Sequence, residues 1–339
     1  MNETATGLSL LFLAGVMNGS FALPMKFTRN WAWENTWLVW TICALFVFPL
    51  LLAYSTIPQL SRVYSQAGFS IILLVALCGA GWGVSQVLFG LAVESVGMAL
   101  TFPVVIGVSA AVGSMIPLIR LHPEKISSAA GVYVVVGLIL LVGAVTLCAV
   151  AGKKREAAVP ASSVARPSTT KGLFFCVLSG VGGSLINIGL AFGDPIAQAA
   201  QKNGALKTWS SNAAFLPLLL SGGASSLIYC IYLIRKNRTH QRFYMAGGAG
   251  HWLLAAVMGL LWWGSTVTYG ASTSKLGQLG TVIGWPLFMS VIVITATFLG
   301  MVTGEWRNAG QQPLRILGTG IFALMLAILA FSISAHMLH

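Results

Sequence analysis

LLVALCGAGWGVSQVLFGLAVESVGM at residues 73–98, and its echo LLAAVMGLLWWGSTVTYGASTSKLGQ at 253–278, decide how this chain folds. Laid over each other at an offset of 180, they share Leu73/Leu253, Leu74/Leu254, Ala76/Ala256, Gly79/Gly259, Trp82/Trp262, Ser85/Ser265, Val87/Val267, Gly90/Gly270 and Gly97/Gly277. Nine identities in 26 positions exceed chance even for two apolar helices. Each copy carries an aromatic, a polar residue and a second aromatic at i, i+4 and i+7. They are Trp82, Gln86 and Phe89 in one, and Trp262, Thr266 and Tyr269 in the other. That spacing puts all three on one helix face. Both stretches are too apolar for water. They read as related membrane helices, each presenting an aromatic and polar face to a common cavity.

The rest of the composition agrees. Of 339 residues, 57% are hydrophobic and 8% charged, with a mean hydropathy of +0.85. So little charge cannot cover a soluble domain, and apolar runs of about 20 residues mean membrane helices. Small residues let such helices approach closely, which accounts for the 38 glycines. The five cysteines lie inside apolar segments without metal-type spacing and read as small buried hydrophobes. The opening MNETATG has no Lys or Arg before its first apolar run, so that run reads as a retained helix, not a signal peptide. A net charge of +12 is scattered through loops and reports topology; nucleic acid is not an expected partner, membrane lipid is.

Ten segments are long enough to span: about 7–25, 36–54, 70–93, 98–119, 127–150, 172–192, 209–234, 250–271, 279–303 and 313–337. GLSLLFLAGV at 7–16 and GLFFCVLSGV at 172–181 echo each other at an offset of 165, and the loop around 193–208 takes up the difference. The expected fold is therefore an all-α integral membrane protein with ten transmembrane helices as two inverted five-helix repeats. The boundaries are 1–151, a basic Pro/Ser-rich linker at 152–171, and 172–339. An odd number of helices per unit reverses the second copy, and inverted repeats around a midplane site mark secondary transporters. Thirteen of the 19 basic residues fall on one side, which puts both termini outside the cytoplasm.

Polar groups within spans cost free energy unless satisfied. Asn18, Gln86, Asn187, Asn212 and Thr266 are candidates for binding a ligand or for bonding one helix to another. Gln86 and Thr266 stand out, because they occupy aligned positions between aromatics. Trp82, Trp262, Trp263 and Trp285 lie deep in spans, where flat rings beside amides and hydroxyls suit a sugar, an aromatic drug or a nucleobase. Trp31, Trp33, Trp37 and Trp40 cluster at a helix start and read as interfacial anchors. Pro49, Pro103, Pro217 and Pro286 each free a carbonyl that needs a partner. Lys26, Glu34 and Glu305 are the proton-coupling candidates, with Glu34 within reach of Lys26 or Arg29 as an ion pair. No HExxH, Walker loop or GxSxG occurs, and no ATP-binding domain, so a membrane enzyme, sensor or primary pump is not expected. Ion-gradient coupling or facilitated diffusion remains, without cofactor or metal.

FALPMKFTRNWAWENTW (21–37), GAGWGVSQVLFGLAVESVGMAL (79–100) and LGMVTGEWRNAGQQP (299–313) resemble the L-rhamnose–proton symporter family of the drug/metabolite transporter superfamily. Its pattern is matched by Pro24, Lys26, Trp31, Trp33 and Glu34, by Trp82 and Gly83, and by Glu305, Trp306, Ala309 and Gly310. Gln86 stands where the family pattern has asparagine, and no acid lies around Thr281–Trp285. The resemblance implies ten helices in two inverted halves, a bacterial inner-membrane location, and uptake of L-rhamnose or a related sugar with a proton. Sodium as the coupling ion and an exporter of amphipathic metabolites are the alternatives. The oligomeric state is left open.

Overall fold

The computed structural model describes residues 3–157, 169–244, 248–307 and 309–337. Most of the 152–171 linker lies outside the described residues. All regular structure among the described residues is helical. The helices are α1 (Glu3–Ser20), α2 (Trp33–Thr41), α3 (Phe48–Thr56), α4 (Leu60–Ala67), α5 (Phe69–Val96), α6 (Met98–Leu121) and α7 (Ala129–Ala157). There follow α8 (Thr169–Phe192), α9 (Asp194–Lys202), α10 (Asn212–Asn237), α11 (Gly248–Lys275), α12 (Gly280–Val302) and α13 (Gln311–His336). Among the described residues, ten segments are long and apolar enough to cross a membrane, close to the expected ones. The second is α2 and α3 joined by π-helical turns at Ile42–Val47, just before Pro49. A wider turn relieves the clash of the proline ring with the preceding turn.

The stretch at 193–208 is not a plain loop. It folds into α9, opened by Asp194 and Pro195, and α9 packs against α4. Asn203 donates to the Gln66 side chain at 2.7 Å between these two short elements.

Eight spans close into a ring in which each packs on the next: α2, α10, α5, α8, α6, α12, α1, α11 and back to α2. Helices α7 and α13 pack on each other outside it, against α6 and α12. Backbones come close where glycines allow. A Cβ on Gly79 would stand 1.9 Å from the Leu218 carbonyl, and one on Gly83 2.3 Å from that of Gly222.

Proline decides where polar ties cross the ring. A proline removes the hydrogen bond to the carbonyl four residues earlier. Pro217 frees the Ala213 carbonyl, which accepts from the Tyr64 hydroxyl at 3.0 Å. Pro286 frees that of Val282, which accepts from Ser114 Oγ at 2.6 Å. Pro117, which the sequence reading passed over, frees that of Gly113, and Asn187 Nδ2 donates to it at 2.9 Å. These three freed acceptors thus each draw a side chain from another element, as a medium without water requires.

Candidate functional site

Trp82 lies 13 residues from Phe69 and 14 from Val96 at the ends of α5. Trp262 lies 14 from Gly248 and 13 from Lys275 in α11. Both indoles therefore stand halfway along their helices. They stack with centroids 5.6 Å apart and planes at 26°. Gly222 makes this possible, because its missing side chain leaves Trp82 lying directly on α10. Asn18 Nδ2 donates to Ser265 Oγ at 2.8 Å beside the stack, tying α1 to α11.

One turn from Trp82, Gln86 is half-buried and finds no hydrogen-bond partner among the described residues. Phe89, a further turn on, is also half-buried. The Gln86 amide is accessible and is not committed to any other group of the protein, so it is free to bond a ligand in place of water. Its aligned partner Thr266 is buried and turned back onto its own helix, donating to the Trp262 carbonyl at 3.0 Å. Gln86 is the available group.

Trp40 is not an interfacial anchor but part of the core. It is 2% exposed and packs edge-on against Trp262 at 5.4 Å, with its Nε1 unpaired. Trp33, Trp37 and Trp40 stack in succession at 5.0 and 4.5 Å, linking the helix start to the midplane pair. Their spacing was the available signal. Residues at i, i+4 and i+7 share one face, and a face that runs into the bundle is not an interfacial ring.

The other candidates separate from this centre. Tyr269 donates to Asn187 Oδ1 at 2.6 Å. Asn187 Nδ2 donates to the carbonyls of Gly113 and Thr281, and Trp285 Nε1 donates to that of Ser109 at 2.9 Å. Gly113 again supplies the slot, with Trp285 lying against it. Tyr269, Asn187 and Trp285 thus form a closed layer with their polar groups spent on protein. Trp263 packs edge-on on Phe215. Asn212 Nδ2 donates to Thr56 Oγ1 at 3.2 Å, and its Oδ1 is unpaired.

The charged candidates sit together at one end of the bundle. Lys26 Nζ lies 2.6 Å from Glu305 Oε1 and donates to Thr303 Oγ1 at 2.9 Å. Arg155 approaches Glu305 Oε2 at 3.5 Å, and its guanidinium lies over the Trp306 ring. One carboxylate, in the turn after α12, therefore ties the 3-10 turn that follows α1 to the end of α7. Glu34 does not pair with Lys26 or Arg29 as expected. It is buried and accepts from Asn237 Nδ2 at 3.1 Å and Thr239 Oγ1 at 2.9 Å. Lys26 is drawn to the more accessible Glu305, where the pair keeps its hydration.

The family model described as L-rhamnose-proton symport protein (RhaT) matches residues 1–336. The chain belongs to this family. A relative from Mannheimia succiniciproducens, named L-rhamnose-proton symporter, is 25% identical over 95% of both chains. Relatives of the same name from Citrobacter koseri and Escherichia coli are 24% identical over 96% of both. A solved crystal structure covering 99% of both chains superposes with a TM-score of 0.59 at 14% identity, a likeness of fold alone. The family is one of transporters and not of enzymes, and it lends the exporter reading no support. The chain is a multi-pass membrane protein with ten helices of spanning length.

Proposed function

We propose that this protein takes up L-rhamnose, or a closely related deoxyhexose or hexose, together with a proton by alternating access in the bacterial inner membrane. The observation that carries this reading is the unpartnered Gln86 amide beside the stacked Trp82 and Trp262 at the middle of the bundle. The C–H face of a sugar packs on an indole, and its hydroxyls bond the uncommitted Gln86 amide in place of water. Asn18 and Phe89 complete the lining from α1 and α5. The relatives' names support sugar and proton as cargo and coupling ion.

The two halves, 1–151 and 172–339, are inverted repeats in this reading. Two packing relations support it. Helix α1 packs on α11 and α12 of the second half, as α8 packs on α5 and α6 of the first. Lysines and arginines concentrate on the Lys26 end, the basic face, which is the cytoplasmic one here; both termini lie on the other, the terminus face.

Uptake of labelled sugar into proteoliposomes under an imposed pH gradient tests the site. Gln86→Ala is expected to raise the apparent KM by roughly tenfold, the loss of about one hydrogen bond to a hydroxyl. Trp262→Ala, which removes half of the stack, is expected to end uptake while insertion into the membrane persists. Normal transport by both variants would remove the proposed site.

A further inference from the structure

Two layers that align in the sequence are in opposite states. Along α11, Thr266 and Tyr269 follow Trp262 toward the terminus face, and both are buried. Along α5, Gln86 and Phe89 follow Trp82 toward the basic face, and both are half-buried. The difference extends to the surroundings. Ile186–Ala191 of α8 and Val282–Phe288 of α12, near the terminus face, are buried without a break. Met17–Ser20 of α1 and Ile294–Thr297 of α12, nearer the basic face, are only half-buried.

The bond from Tyr269 to Asn187 is what closes the first layer. Helices α11 and α8 stand opposite each other in the ring of eight, so this 2.6 Å contact spans its diameter. It is anchored at the Asn187 side, because Asn187 also holds the carbonyl freed by Pro117 and that of Thr281. The matching diameter runs from α5 to α1. There Phe89 makes no aromatic ring contact among the described residues, and Asn18 is turned to Ser265 on a neighbouring helix. The residue that aligns with Asn187 at an offset of 165 is Ala22, which is exposed and has no polar side chain.

We propose that Tyr269 and Asn187 form the gate on the terminus face, shut in this structure, and that Phe89 closing on the Ala22 end of α1 is the opposing gate, open here. The proposal rests on the inverted-repeat reading above. It has a directional consequence. Shutting the terminus-face gate makes a hydrogen bond between groups that water has left, whereas shutting the other brings together only apolar surface. The empty protein therefore rests open toward the basic face. The return to the loading state requires the Tyr269 bond to break, and a ligand shifts the balance only through its unequal affinity for the two states.

Labelling from one side tests this. In a background with the five native cysteines replaced, Leu190→Cys places a thiol one turn beyond Asn187, at a position 7% exposed in this state. A membrane-impermeant maleimide is applied from the terminus face. Tyr269→Phe keeps the ring and drops only the hydroxyl, and is expected to speed labelling by roughly fivefold, the population shift that one neutral hydrogen bond allows. Unchanged or slower labelling overturns the gate. If that variant does not reach the membrane, Trp285→Phe, which drops the bond to the Ser109 carbonyl in the same layer, is read identically. Should Gln86→Ala still impair uptake while labelling stays unmoved, the gate falls and the sugar site stands.

Discussion

Glu305 is the residue whose surroundings say most about coupling. It is the shared acceptor for Lys26 and Arg155, from two different elements, at the basic end of the bundle. Neutralising it releases both bases at once and loosens the seam between α1 and α12. We therefore assign it the proton-linked role among the three charged candidates. A gradient of one pH unit is worth about 1.4 kcal/mol per proton, a tenfold ratio of sugar across the membrane. Glu305→Gln is expected to bring that ratio to about one while sugar-for-sugar exchange continues. Retained accumulation would take the role away from Glu305. At this scale the sequence was legible where two copies could be compared. The two stacked tryptophans were visible because they recur, and Gln86 because it aligns with another polar residue, Thr266, between aromatics. Trp40 was not, because a tryptophan near a helix start ordinarily anchors in the interface. The pairing of Lys26 with Glu305 joins positions 279 residues apart, a distance over which spacing carries no information.

Among the elements, α5 shows how a helix is held by what it lacks. Gly79 faces α10 with no room for a methyl group, whereas a Cβ on Gly90 would meet nothing within 4 Å. Gly79→Ala must push α5 away from the Leu218 backbone, and overpacking of this kind costs about 1–3 kcal/mol. Gly90→Ala gains helix propensity without a clash and is expected to stay within about 1 kcal/mol of the parent or above it. Thermal unfolding of the two variants in detergent separates them, and equal midpoints would contradict the packing described. Element positions were readable from apolar run length, since a spanning helix must be long. The short helices α4 and α9 were not. Their alternating polar and apolar residues fall below the length at which hydropathy distinguishes a helix from a loop. The need for partners at proline-freed carbonyls was foreseeable from chemistry, but which side chain answers each one depends on how helices cross.

For the whole molecule, ring closure arises from a simple constraint. Ten apolar helices with a polar face on only some of them leave α7 and α13 outside and the eight others around a middle. The distribution of basic residues supports our proposal that the termini lie outside the cytoplasm, and a reporter active only there checks it. Fused after His339, such a reporter is expected to be active; silence there, with activity when fused into the 152–171 linker, would invert the molecule. That ten spans exist was plain from composition. Their order around the ring was not, since neighbours in the ring are mostly not neighbours in the chain.

The stacked indoles of Trp82 and Trp262 have one more consequence. Two chromophores this near and this parallel are excitonically coupled, and any rocking that parts the halves must uncouple them. If the halves rock as proposed, the circular dichroism of the unlabelled protein is expected to change with the side to which it opens.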